Sequence, residues 1–160
     1  MLRHTRLQVP IVQKEIKMTR QNKYPDTKTF HYHNANPKNR ITTDCVVRAI
    51  STALELPYSQ VVMELAEMQC KTGYDDGDKT LYEKYLASKG WVKHKQPRKD
   101  FNLKYTGKEF CEMAQEYTMD YPSRMIANIG GHHIVAIVEG RVWDTWDSTG
   151  GCIGNYWTEE

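Results

Sequence analysis

The hydrophobic rhythm of this chain changes at Pro122. Before it, apolar residues recur at three- and four-residue intervals; after it, they form short blocks cut by glycines. The first pattern gives each segment one buried helical stripe, and the second marks strands joined by turns. Val46, Val47, Ala49, Ile50, Ala53 and Leu54 predict a helix capped by Asp44 or Thr43 and ended by Pro57. Ser59 is the expected cap of a second, whose face runs through Val62, Leu65, Ala66 and Cys70 to Gly73. Asp78 opens a third, "KTLYEKYLASKG", closed by Gly90, and "TGKEFCEMAQEY" reads as a fourth. Upstream, "TKTFHYH" alternates as a short strand and "NANPKNRITTD" is loop. Beyond Pro122, "RMIANI", "HIVAIV", "RVWDTW" and "CIGNYW" read as strands separated by "GG", "EG" and "STGG". Helices first and strands afterwards predict an α+β domain, a helical part packed on a C-terminal antiparallel sheet.

At 160 residues the chain fits one such domain. We expect a loosely held basic arm over residues 1–26 and a single domain over 27–160; Met18 offers a second possible start. "MLRHTRLQVPIVQKEIKM" has no apolar core or cleavage site of a secretory leader, and no run of about 18 apolar residues occurs, so a cytoplasmic protein without membrane partners is expected. Cys45, Cys70, Cys111 and Cys152 form no C-x-x-C pair and read as free thiols. Residues 1–24 and 92–108 each carry six basic groups and one acidic; with the whole chain at +2 and each segment at +5, the remainder carries −8. The second segment, "WVKHKQPRKDFNLKYTGK", reads as a solvated lysine-rich connection, so nucleic acid is not the expected partner. "YDDGD" lacks the rest of a calcium loop and reads as a turn.

Chemistry enters with "TTDCVVRAIS". A thiol at the first turn of a helix feels the positive end of the dipole and unpaired N–H groups, both of which favour thiolate. A nucleophilic Cys45 needs a base within reach and a third group to orient that base. If Glu139-Gly140 is a two-residue hairpin turn, Val138 faces Arg141, and alternation puts His133, Val135, Val142 and Asp144 on one face. His132 and Asp147 then point the other way, and Asp147-Ser148 is most simply a turn. Cys70 and Cys111 read as core packing, as do Trp143 and Trp157. A metal site drawn from His31, His33, His132, His133 and Cys45 is a rival, but nothing recurs at structural-zinc spacing, so no metal or cofactor is expected.

The order Cys45, His133, Asp144 resembles the papain-like fold, in which a cysteine opens a central helix and a histidine and an Asn or Asp follow on later strands. "HHIVAIVEG" is similar to that family's histidine-led strand, and "DTW" to its Asn-Ser-Trp, which implies that Trp146 shields the histidine pair. A Gln or Asn six residues before the cysteine, here Asn39, is implied as an oxyanion donor. Gly131 and Trp146 are the expected substrate contacts, because glycine lets a substrate strand approach. "DCVVRAI" with "VWDTWDS" also resembles small papain-like proteins of phages and mobile elements. Bacteriocin-processing peptidases share the D-C start but continue with Gly-Pro where Val46-Val47 stands. The resemblance implies a cysteine-dependent hydrolase or acyl transferase, a thiol protease with a Cys-His-Asp triad. Its substrate would be a peptide or protein, a host protein if the chain is phage-encoded and works in host cytoplasm. The alternative is an inactive papain-like module that binds a host factor, since fold does not dictate function.

Overall fold

The computed structural model describes residues 18–160. A single helical turn, α1 (Arg20–Lys23), precedes strand β1 (Phe30–Tyr32) and helices α2 (Cys45–Leu54), α3 (Tyr58–Thr72) and α4 (Lys79–Ser88). Strand β2 (Trp91–His94), a small hairpin of β3 (Arg98–Lys99) and β4 (Leu103–Lys104), and helix α5 (Gly107–Glu116) follow. Strands β5 (Arg124–Ile129), β6 (His133–Val138), β7 (Arg141–Asp144) and β8 (Ile153–Glu159) complete the chain. The result is α+β, built around a six-stranded sheet in the order β1-β7-β6-β5-β8-β2.

Local chemistry sets the helix ends. Asp78 accepts from the Thr80 N–H at 2.7 Å, and Thr106 with Glu109 forms a reciprocal capping box on α5. Glu55, left-handed at φ 55°, closes α2 by donating its N–H to Ser51 O. The α3 cap is Pro57, upstream of the Ser59 expected, because proline's fixed φ suits a helix entrance. Its buried stripe is Val61 and Leu65, with Met68 beside them, so Val62 and Cys70 fall outside it and are exposed. The core reading of Cys70 is thereby corrected; Cys111 is fully buried as expected.

Both faces of the sheet are covered. Ile134, Ala136 and Val138 of β6 meet Val46, Ala49, Ile50 and Ala53 of α2, with Leu81 and Leu86 of α4 in the same layer. Their alternates Val135 and Ile137 join Phe110 and Ala114 of α5 on the other side. Near-continuous apolar strands are what burial on two faces requires. Each fully buried Ile or Leu contributes about 2 kcal/mol from removal of apolar area from water.

Two expectations need correction. The sheet is mixed, because β1 runs parallel to β7 along Phe30–Val142 to Tyr32–Asp144. The lysine-rich "connection" supplies β2, which pairs with β8, and the separate β3–β4 hairpin; only Trp91 is buried in β2, so alternation is faint. The C-terminal "GNYW" lies in β8, an interior strand between β5 and β2. Of the arm expected over residues 1–26, residues 1–17 lie outside the described residues. Within the rest, Arg20 Nε donates to Thr145 O at 2.7 Å and Asp26 accepts from the Tyr32 N–H at 2.8 Å.

The β6–β7 turn fixes the register. Glu139 and Gly140 both have positive φ, 49° and 67°, the conformation of a two-residue turn that follows strand twist. Val138 therefore faces Arg141, then Ile137 Val142 and Ala136 Trp143. A Cβ on Gly140 would sit 2.4 Å from Gln115 Cγ, and Gln115 Nε2 donates to Gly140 O at 2.8 Å, which seats α5 on this turn.

Candidate active site

Cys45 is the first residue of α2, and Asp44 occupies the cap position without capping it. The Asp44 carboxylate is turned to other partners. Oδ1 accepts from Arg48 Nε at 2.8 Å, one helical turn on, and Oδ2 accepts from Tyr58 Oη at 2.6 Å and Asn36 Nδ2 at 3.2 Å. The first-turn N–H groups of α2 thus have no side-chain cap, and the residues that carry them line a cleft of about 580 Å³. Tyr58, Val62, Asp76, Tyr82, Asn128 and Gly131 form other parts of its wall.

The hairpin brings the imidazole. His133 Nε2 lies 2.5 Å from Asp144 Oδ2, which commits that nitrogen to the carboxylate and leaves Nδ1 for the thiol. Asp144 is 2% exposed, and its other oxygen accepts from Arg48 Nη1 and from the Thr145 N–H at 2.7 Å. Arg48 therefore links the two aspartates: its guanidinium holds Asp44 with Nε and Asp144 with Nη1. A planar fork with several fixed donors suits this bridging position, which an ammonium cannot fill. Trp146 packs on the imidazole with ring centres 5.0 Å apart.

These contacts set the protonation states. Burial alone would lower the His133 pKa, but hydrogen bonds and charge from Asp144 and Cys45 outweigh it and push the imidazole up to about 9. Burial alone would raise the Cys45 thiol; interaction with the His133 side chain, the Ile134 backbone N–H and the charges of His133 and Arg48 bring it below its ordinary value. Asp144 is also held below the usual carboxylate range: His133 and Arg48 overcome its burial. The arrangement favours a thiolate–imidazolium pair backed by an ionised, buried carboxylate. Cys111, by contrast, is pushed up to about 12 by burial and is inert packing.

The expected residues divide accordingly. Cys45, His133 and Asp144 come together, Trp146 covers the histidine, and Gly131, at φ 92°, lines the cleft. His132 is exposed and lines the cleft beside Gly131, and Asp147 closes the following turn through Thr149. Asn39 is not brought to the site: it is exposed in a left-handed turn, is not part of the cleft wall, and accepts from Asn34 Nδ2 at 3.3 Å. Asn36 is the asparagine that reaches the cysteine's neighbour. Trp157 is core, whereas Trp143 is half-buried between His31 and His33. No three His, Cys, Asp or Glu side chains converge as metal ligands among the described residues.

Arg48, Tyr58 and Asn36 are site residues that sequence reasoning does not single out. For Arg48 a signal exists: Asp44 and Arg48 stand four apart in "DCVVR", facing neighbours on a helix. No family model, no curated protein and no solved structure matches this chain.

Proposed function

We propose that the chain is a cysteine-dependent hydrolase or acyl transferase of papain-like type, acting on peptide or protein substrates in the manner of a thiol protease. The observation that carries this reading is His133 held by a buried, ionised Asp144 on one nitrogen while its influence lowers the Cys45 thiol.

The Cys45 thiolate attacks the substrate carbonyl carbon and a C–S bond forms. Charge moves to the carbonyl oxygen, and the Cys45 backbone N–H, with the uncapped first turn around it, stabilises that oxyanion; one such donor contributes about 3 kcal/mol in a transition state. The His133 imidazolium gives its proton to the leaving nitrogen as the C–N bond breaks. Imidazole then takes a proton from water, hydroxide attacks the thioester, and release of the acid regenerates the thiolate and imidazolium. An amine in place of water makes the same site an acyl transferase. Asp144 keeps one tautomer and stabilises the cationic ring throughout.

A peptidyl vinyl sulfone tests the reading. Intact-mass and peptide mapping should find a single adduct on Cys45 of the wild-type chain and none in His133→Ala. An adduct confined to exposed Cys70 or Cys152 would count against it.

A further inference from the structure

The β3–β4 hairpin takes no part in the chemistry above. Arg98 and Lys104 are cross-strand partners, with Lys95 and Lys108 exposed on either side. Phe101 at the tip is 96% exposed, with φ 58°, and Leu103 beside it is exposed too. A bulky residue in the left-handed region with its ring in water gains nothing from folding. Lys93 is neutralised by Glu83 and Lys99 by Glu109; Lys95, Arg98, Lys104 and Lys108 have no carboxylate partner among the described residues.

The base of this hairpin is pinned to the start of β8, at the end of the sheet from which His133 arises. Ile153 N donates to Tyr105 O at 2.9 Å, Gln96 Nε2 donates to Ile153 O at 2.6 Å, and Gly130 N donates to Cys152 O at 2.9 Å. Gly151, whose carbonyl accepts from the Gly107 N–H at 2.8 Å just past the hairpin, lines a depression of about 310 Å³ together with Gly130, His133, Trp146 and Ser148. The Ser148 hydroxyl there is buried without a partner. A Cβ on Gly130 or Gly150 would meet nothing within 4 Å, so a passing backbone has room.

We infer that the β3–β4 hairpin is a docking arm for an acidic, apolar-bearing segment of a polypeptide substrate, on the leaving-group side of the attacked bond. This rests on the reading of Cys45 as nucleophile: His133 hands its proton to the leaving nitrogen, so the leaving segment lies against His133 and Trp146, and continues toward the hairpin. Carboxylates complement the four free cations, and an apolar residue complements Phe101 and Leu103. A nucleic acid would favour successive aromatic platforms along a basic groove; this hairpin pairs an aromatic with an aliphatic instead.

The test uses the full chain as Cys45→Ala and fluorescence anisotropy with four probes: an Asp/Glu-rich peptide bearing Leu and Phe, its Asn/Gln counterpart, an oligo-dT strand, and phosphatidylserine vesicles. The acidic peptide should bind at least about tenfold more tightly than its neutral counterpart at low salt, and Arg98→Glu with Lys104→Glu should remove that difference. Phe101→Ser should weaken both peptides, which share the apolar residues, and leave oligo-dT and vesicles unaffected. Equal binding of both peptides, indifference to the hairpin variants, or tighter capture of oligo-dT or vesicles through the same residues would overturn the inference. Alkylation of Cys45 in the wild-type chain is measured separately, so a lost nucleophile and a lost docking arm remain distinguishable.

Discussion

Arg48 of α2 and Asp144 of β7, 96 residues apart in the chain, form a buried ion pair, and the same guanidinium grips Asp44 beside the Cys45 thiol. The helix that carries Cys45 and the hairpin that carries His133 are therefore fastened by one cation. Removing it leaves two aspartates with unmet charge, one of them almost fully buried. Arg48→Met should cost about 3–5 kcal/mol in urea unfolding, and Arg48→Lys should recover only part of it because an ammonium cannot serve both carboxylates in plane. A loss no larger than about 0.5 kcal/mol, ordinary for a surface change, would contradict the bridging role.

The pH dependence of stability has a slope that depends on the thiol. His133, raised from 6.5 to about 9, contributes stability fully present below pH 6.5 and lost as pH rises through about 9. Cys45 has the opposite sense: its contribution is present above the ordinary 9.0 and lost as pH falls through its lowered value. A proton moved from sulfur to imidazole on folding offsets the uptake by His133. From about pH 6.5 to 9, wild-type urea midpoints should therefore fall less steeply than His133 alone would dictate, because Cys45 acts in the opposite sense. In Cys45→Ser, which keeps Asp144 against His133, stability should decline more steeply as pH rises across that window. Parallel profiles for the two chains would show that no ion pair forms.

Asp144→Asn exchanges an acceptor of three hydrogen bonds for an amide that cannot neutralise Arg48. In serine-protease triads the same exchange leaves the histidine in the wrong tautomer and costs on the order of 10⁴ in turnover. Here the directly readable consequence is on the thiol: its pKa, followed by thiolate absorbance in the far ultraviolet, should move back toward the ordinary value. An unchanged titration would remove Asp144 from the chemistry.

The hairpin turn supplies a stability check away from charge. Gly140→Ala adds a Cβ at 2.4 Å from Gln115 Cγ in a backbone at φ 67°, so about 1–3 kcal/mol should be lost, with α5 loosened in hydrogen exchange.

Much of this site is legible in the sequence because short-range rules fix it. The Glu139-Gly140 turn length sets side-chain parity, which groups His133 with Asp144 and His132 with Asp147. The capping residues Asp78 and Thr106 mark their helices for the same local reason. Arg48 escapes because apolar periodicity counts a cation as solvent-facing, whereas here two carboxylates from distant segments make its burial tolerable. The parallel pairing of β1 escapes because strand direction is set by the long excursion through α2, α3, α4 and α5, which no local pattern encodes. β2 carries one buried side chain, Trp91, too little for period-two alternation to register. The resemblance implies Asn39 as an oxyanion donor, but that residue is exposed in a left-handed turn, while Asn36 is the asparagine that contacts Asp44.

The most direct measurement is the rate at which iodoacetamide alkylates each thiol in mildly acidic buffer, read by peptide mass spectrometry in wild type and His133→Ala. Cys45 should react far faster than exposed Cys70 and Cys152 at a pH where ordinary thiols are protonated, and that advantage should vanish without the imidazole. Equally slow labelling of Cys45, Cys70 and Cys152, unaffected by His133→Ala, would contradict a nucleophile at the head of α2 and leave a binding module in its place.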